Sequence, residues 1–89
     1  MEPDIIRLPE VSRTTGLARS TVYLRIEQGL LPKPVSLGGK AVGWPASEIS
    51  QINAARIAGK SNEEISALVQ QLMRKRLSED KEVRNVVAG

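Results

Sequence analysis

Glycine and proline divide the first sixty residues of this 89-residue chain into short segments. Gly16, Gly29 and Gly59 each close a stretch whose apolar residues have helical spacing, and glycine readily adopts the left-handed conformation that ends helices. Pro32 and Pro34 enforce an extended segment between the helical stretches. Because no stretch before Gly59 exceeds about four helical turns, we expect several short helices interrupted by one extended region.

The first two segments are predicted to form a helix-turn-helix. Leu8 and Val11 are spaced for one face of a helix of about two turns that ends at Gly16. A second helix of about three turns follows at 17–29. Its thin apolar side is formed by Leu17, Val22, Ile26 and Leu30. Two short helices joined through a glycine are typical of the helix-turn-helix.

Residues 35–44 are predicted to form a short β-hairpin. Apolar residues alternate in both arms, and Gly38-Gly39 supplies the positive φ that a tight turn needs, which places Lys40 at the tip. A two-stranded hairpin is not stable by itself, so it must pack against the helices. We interpret Trp44 as the core residue that anchors it, in preference to a ligand contact.

Two further helices are expected after the hairpin. One opens at Pro45 and ends at Gly59, and the next begins with a capping box in which Ser61 and Glu64 satisfy each other's backbone donors. The last helix is amphipathic, with an apolar stripe of Ile65, Leu68, Val69, Leu72, Met73 and Leu77. We interpret the basic run at 74–76 as compensation of the helix dipole in preference to a second contact surface.

These elements predict a mainly α fold with a small β-hairpin, in the order of a winged helix-turn-helix followed by an amphipathic helix. The expected division is a flexible N-terminus at 1–7, a winged helix-turn-helix at 8–59, a C-terminal amphipathic helix at 60–77 and a loose tail at 78–89.

Composition removes several classes of function. The chain has no cysteine and no histidine, so it lacks a disulfide framework, a thiolate metal site and the usual general base. No catalytic dyad or phosphate loop can be assembled, and we predict no enzyme activity, no cofactor and no metal. No apolar run approaches the ~20 residues of a membrane span, and the acidic N-terminus lacks a signal-peptide pattern. We therefore expect a cytoplasmic protein without a membrane partner.

Positive charge is concentrated on the second helix and the hairpin. Between Gly16 and Gly43 there are four basic residues and one acid, Glu27. The first turn of the second helix has no acid, although acids there would suit the helix dipole, and this is expected if that turn faces a polyanion. A helix about 10–12 Å across fits the major groove of DNA. The candidate DNA contacts are Arg19, Ser20, Thr21, Tyr23, Arg25, Lys33 and Lys40.

Each candidate contact has a structural alternative. Arg19 and Arg25 are also compatible with ordinary surface arginines, Tyr23 with a half-buried core residue, and Lys40 with a solubilising turn residue; Ser20 and Thr21 are also compatible with helix capping. A rival function is a protein-interaction adaptor that holds a response regulator, polymerase or integrase. That function would use Leu24, Leu31 and the apolar stripe of the last helix, and would not need Arg19 or Arg25.

The run from 8 to 76 carries several motifs in one order. They are Arg-Leu-Pro-Glu-Val at 7–11, Thr-Gly-Leu-Ala-Arg-Ser-Thr-Val-Tyr at 15–23, Gly-Leu-Leu-Pro-Lys-Pro-Val at 29–35, Gly-Gly-Lys-Ala-Val-Gly-Trp at 38–44, Ser-Glu-Ile at 47–49 and Gly-Lys-Ser-Asn-Glu-Glu-Ile at 59–65. In this order they resemble the AlpA-type prophage regulatory proteins, which are related to excisionases and to the DNA-binding domain of the MerR group.

The resemblance implies a DNA-binding regulator of integrase or excision genes, or a recombination directionality factor that bends DNA at attachment sites. It implies that the second-helix candidates from Arg19 to Arg25 face DNA, and that Lys40 holds the basic position of the wing. The chain departs from the family pattern at Ala18, where a Ser or Thr is usual, so the cap of the second helix is expected to be weak.

Together these features predict a sequence-specific double-stranded DNA-binding regulator of prophage or genomic-island genes. Its DNA target would be a promoter or an attachment site, and an integrase is a further expected partner. One such module buries only roughly 600–1,000 Å² of protein surface. Cooperative binding to repeated sites, or a second copy paired through the Ile65–Leu77 helix, would supply the remaining affinity.

Overall fold

Four helices and three short strands make up the part of the chain that the structure describes. It is a computed structural model that gives the backbone of residues 4–88 and the side chains of residues 4–77. The elements in order are β1 (Ile5–Ile6), α1 (Leu8–Thr15), α2 (Arg19–Glu27), β2 (Val35–Gly38), β3 (Ala41–Pro45), α3 (Ala46–Ile57) and α4 (Asn62–Ala88). This confirms the predicted fold class, a mainly helical protein with a small antiparallel sheet.

The turn between α1 and α2 is built as the sequence predicts. Gly16 has a φ of 74°, and its N–H donates to the Ser12 carbonyl over 3.0 Å. The Ser12 hydroxyl donates to the Leu17 carbonyl across the turn, so a small residue is needed where the two helices meet. Val11 and Val22 are fully buried on the facing sides of α1 and α2.

The three strands form an antiparallel sheet in the order β1-β3-β2, with β3 in the centre. The sequence analysis assigned residues 1–7 to a flexible N-terminus. Ile5 and Ile6 instead form β1 and pair with β3, because Ile6 is buried beside Trp44, its partner in the register. Residues 1–3 lie outside the described part of the chain.

Trp44 is a core residue, as predicted. It is fully buried, and its Nε1–H donates to the Pro32 carbonyl over 3.0 Å. The indole therefore packs in the core and also holds the extended segment that leads into β2. Lys40 lies in the two-residue turn between β2 and β3, at the tip of the hairpin.

The apolar stripe of α4 packs back onto the rest of the fold. Ile65, Val69 and Leu72 are buried in the same core cluster as Ile49 and Ile52 of α3. Residues on either side of position 59 therefore share one hydrophobic core. Leu77, the last residue of the predicted stripe, is 66% exposed.

α4 is longer than the sequence analysis predicted. It runs to Ala88, through a segment that was expected to be a loose tail, because neither glycine nor proline interrupts it before Gly89. The basic run at 74–76 therefore does not lie in the last turn of the helix, and its interpretation as dipole compensation was wrong. Gly89 and the side chains after residue 77 lie outside the described part.

Arg76 has a different role, which the sequence analysis did not predict. Its Nε donates to Glu48 Oε2 over 2.8 Å and one terminal nitrogen donates to Glu48 Oε1 over 2.5 Å. The same terminal nitrogen donates to the Lys33 carbonyl over 2.9 Å. The Glu48 side chain is only 8% exposed and that of Arg76 19%. One guanidinium thus joins the start of α3, the middle of α4 and the segment that enters the hairpin.

Candidate nucleic-acid interface

α2 presents most of its surface to solvent. Val22 is buried and Ile26 packs against the core, and these two side chains fix which side of the helix faces inward. Of the remaining residues, Thr21 and Arg25 are partly buried. Those that are exposed are Arg19, Ser20, Tyr23, Leu24 and Glu27.

The first turn of α2 is open to an anion. Ala18 is the N-cap residue, in an extended conformation, and it has no side-chain oxygen to bond the free N–H groups that follow. The first turn contains no acidic residue. A helix start with uncapped N–H groups and no nearby carboxylate favours a phosphate or another anion. The weak cap that Ala18 predicted is confirmed.

The structure distributes the seven sequence-predicted contacts over three elements. Arg19, Ser20, Thr21, Tyr23 and Arg25 lie on α2, Lys33 precedes β2, and Lys40 lies at the hairpin tip. Lys33 and Lys40 are both exposed. Tyr23 is 45% exposed and is not part of the core cluster, which favours a surface role over its core alternative.

The basic candidates carry charge that carboxylates do not offset. Within residues 4–77 the ion pairs join Arg13 to Glu10, Lys60 to Glu64 and Arg76 to Glu48. Arg19, Arg25, Lys33 and Lys40 belong to none of these pairs. The positive charge of α2 and the hairpin is therefore available to an outside anion, whereas that of Arg76 is used inside the fold.

Arg25 lies on the flank of α2, beside two clefts. One cleft, of about 390 Å³, lies between the helix-turn-helix and α3, and its lining includes Leu17, Leu30 and Arg56. The other, of about 570 Å³, separates α2 from the start of α4 and is lined in part by Thr21 and Gln28. This position explains why Arg25 and Thr21 are partly buried although both are polar.

Two exposed residues of this surface, Leu24 and Gln28, were not among the candidate DNA contacts named from the sequence. Leu24 was considered only for the rival protein-binding function, and Gln28 was not considered at all. Both are exposed, at steps of four residues from Ser20. That four-residue spacing is visible in the sequence, but which side of α2 faces outward depends on the packing of Val22 and Ile26.

The described residues contain no group of three or more acidic, cysteine or histidine residues arranged to hold a metal ion. Among the same residues, no helix has the length and apolar character needed to cross a bilayer.

Comparison with known proteins decides the family. The family described as the prophage CP4-57 regulatory protein (AlpA) matches residues 4–57, which comprise β1, the helix-turn-helix, the hairpin and α3. The chain belongs to the AlpA family. The resemblance seen in the sequence motifs is thereby confirmed, and α4 lies outside the matched region.

Two other proteins are similar to this chain over part of its length. The chain is 49% identical over 63 residues to the uncharacterized protein ORF88 of Enterobacteria phage P4, covering 65% of this chain and 72% of that protein. It is 40% identical over 53 residues to the DNA-binding transcriptional activator AlpA of Escherichia coli strain K12, covering 53% of this chain and 76% of that protein. No solved structure matches the chain.

Proposed function

We propose that this AlpA-family protein is a sequence-specific double-stranded DNA-binding regulator of prophage or genomic-island genes. In this proposal α2 enters the major groove and the β2–β3 hairpin acts as a wing along the neighbouring phosphates. The observation that carries it is the surface of α2, which combines an uncapped start, no acid in the first turn and two arginines outside every described ion pair. The name of the relative in Escherichia coli supports the same function.

The proposed contacts divide by chemistry. Arg19 and Ser20, in the first turn, are suited to base edges or phosphates. Arginine bonds bidentately to guanine, and the serine hydroxyl can donate to a phosphate or bond either a donor or an acceptor on a base. Tyr23 offers its hydroxyl to a phosphate or its ring to a thymine methyl. Lys33 and Lys40 are exposed amines suited to phosphates, with Lys40 carried by the glycine turn of the wing.

Two regulatory roles use the same contacts. Binding at the promoter of an integrase gene would make the protein a transcriptional regulator, and binding at an attachment site would make it an excisionase-type directionality factor acting with integrase. The preferred DNA distinguishes the two roles, because the protein surface is common to both.

A second copy is proposed to be recruited by repeated DNA sites. Pairing through the Ile65–Leu77 stripe would require apolar side chains that are already buried within one chain, namely Ile65, Val69 and Leu72. Cooperative binding to neighbouring sites needs no such surface and supplies the affinity that one small module lacks.

The rival adaptor function would use three surfaces, and two of them are buried within the chain. Leu31 is only 3% exposed and the stripe of α4 is mostly buried, which leaves Leu24 on the outside. One exposed leucine is common on a protein surface and does not by itself indicate a protein partner.

The test is fluorescence anisotropy with duplexes from the neighbouring integrase promoter and from the attachment site, with scrambled duplex as control. We expect preference for one native duplex and a steep loss of affinity with salt. Arg19→Ala and Arg25→Ala should each weaken binding by about tenfold, equivalent to ~1.4 kcal/mol.

Arg74→Ala is the matched control, because it removes the same charge from an exposed position on α4. It should bind as the wild type does. Equal, weak binding to every duplex, unchanged in Arg19→Ala and Arg25→Ala, would contradict the proposal and favour a protein partner.

A further inference from the structure

Leu24 occupies the middle of the outward face of α2. Successive helical residues are turned by about 100°, so Leu24 points about 180° away from the mean direction of Val22 and Ile26. Its side chain is 49% exposed. Ser20 and Gln28, one turn before and one turn after it, are also exposed. These three residues, Ser20, Leu24 and Gln28, are called the outward ridge of α2; Gln28 is the C-cap residue that directly follows the helix and still has helical backbone angles.

Arg25, the residue after Leu24, lies on the flank of α2 and not on its outward ridge. Arg25 is turned by about 100° from Leu24 and is partly buried. Both residues line the cleft toward α4, but of the two only Arg25 also lines the cleft toward α3. If α2 enters a groove with its outward ridge leading, Leu24 meets the floor of the groove and Arg25 meets its wall. The floor of the major groove consists of base edges, and its walls are the phosphate backbones.

We propose that Leu24 is a specificity-determining residue that packs against the C5-methyl group of a thymine. This inference rests on the proposed function. Leucine has no hydrogen-bonding group, so placing it against a base donor or acceptor would remove water without replacing its hydrogen bonds. The thymine methyl is the apolar feature that the major groove displays, and it is a favourable neighbour for an aliphatic side chain.

The rest of the outward ridge defines the kind of site. Gln28 is suited to the N6 and N7 atoms of an adenine, and Ser20 to a donor or an acceptor on any base. Leu24 and Gln28 are four residues apart, which is about 6 Å along the helix axis, and this distance is within about two base pairs of the groove. The thymine read by Leu24 is therefore expected within two base pairs of an adenine that is read by Gln28.

The experiment replaces each thymine of the preferred duplex, one at a time, by deoxyuridine, which removes the C5-methyl and leaves the hydrogen-bonding edges unchanged. Affinities are measured for the wild type, Leu24→Ala and Ile57→Ala. Ile57 is the matched control, because it is an 87% exposed aliphatic residue at the end of α3. Alanine is a good helix former, so α2 should persist in Leu24→Ala.

We expect the wild type and Ile57→Ala to lose about fourfold in affinity at one deoxyuridine position, the value of one buried methyl group. Leu24→Ala should be weaker on the thymine duplex by a similar or larger factor and insensitive to deoxyuridine at that position. A loss at that position that persists in Leu24→Ala, or a wild type that is insensitive at every thymine, would overturn the assignment while leaving DNA binding intact. Absence of any preferred duplex would instead overturn the proposed function, and the assignment with it.

Discussion

Gly43, in the central strand of the sheet, is a glycine at which the fold leaves no room for a side chain. A Cβ at this position would lie 2.6 Å from Ile5 Cγ2, 3.1 Å from the Ile6 carbonyl oxygen and 3.2 Å from Leu37 Cδ1. The Ile5 Cγ2 methyl can move only by rotation about χ1, and the Ile6 carbonyl is backbone of β1, which is paired with β3. Glycine is therefore required at Gly43 because there is no space for a side chain, while its backbone conformation is ordinary.

Gly43→Ala is expected to lower the free energy of unfolding by about 1–3 kcal/mol through overpacking between β1 and β3. Urea denaturation followed by circular dichroism measures the change. Gly39→Ala is the comparison, since a Cβ there meets open space but the φ of +57° is unfavourable for alanine. That variant should lose only about 1–2 kcal/mol, and should leave the contact of β1 with β3 intact. Wild-type stability in Gly43→Ala would show that β1 does not pack over this position.

At the scale of single elements, the start of α4 is stabilised by a capping box between Ser61 and Glu64. The Ser61 N–H donates to Glu64 Oε1 over 3.1 Å, and the Glu64 N–H donates to the Ser61 hydroxyl over the same distance. The pKa of Glu64 is lowered below its ordinary value of 4.5, mainly by the hydrogen bond from the Ser61 backbone. The hydrogen bond with the Ser61 side chain and the nearby positive charge of Lys60 lower this pKa further. The capping box predicted from the sequence is confirmed, because all its partners lie within three residues.

The lowered pKa of Glu64 predicts a pH dependence of stability. A carboxylate whose pKa is lower in the folded state stabilises the fold above its ordinary pKa, and this contribution is lost as the pH falls through the lowered value. We expect the wild type to lose thermal stability below pH 4.5 relative to Glu64→Gln, which keeps an acceptor oxygen without titrating. Glu63→Gln, in the same first turn, is the control and should lose thermal stability at acidic pH as the wild type does. The prediction would be contradicted if the melting temperatures of the wild type and Glu64→Gln fell by the same amount as the pH is lowered below 4.5.

At the scale of the whole molecule, the Glu48–Arg76 pair joins parts that are distant in sequence. The two residues are 28 positions apart, and Arg76 also bonds the Lys33 carbonyl, 43 positions away. Removing one member of a buried ion pair leaves the other charged and unpaired, which costs much more than losing an exposed pair. The pair therefore fixes α3 and α4 against the segment that leads into the wing.

Arg76→Ala is expected to lower the free energy of unfolding by about 3 kcal/mol, because Glu48 is left buried without its partner. The double variant Glu48→Leu with Arg76→Leu should recover most of that loss, since an apolar pair of similar size needs no compensating charge. Arg13→Ala removes an exposed pair with Glu10 and should cost less than about 1 kcal/mol. Chemical denaturation of all three variants measures these differences; equal losses for Arg76→Ala and Arg13→Ala would contradict the role of the buried pair.

The sequence by itself determined the features that depend on neighbouring residues. The glycine turn at Gly16, the hairpin with Lys40 at its tip and the Ser61–Glu64 capping box all follow from residues a few positions apart, whose conformational preferences and hydrogen bonds are local. The basic, acid-free start of α2 was likewise readable, and with it the candidate contacts. These features predicted the fold class, and the order of the sequence motifs predicted the family.

Only the tertiary structure decided which surfaces remain outside. It buried the α4 stripe against α3, brought Ile5 and Ile6 into the sheet, and used Arg76 within the fold. It also fixed the orientation of α2, which sets Leu24 outward and Arg25 to the flank. Burial and long-range pairing depend on every element that competes for the same core, so an apolar or charged residue has the same local signature whether it is buried by its own chain or left for a partner.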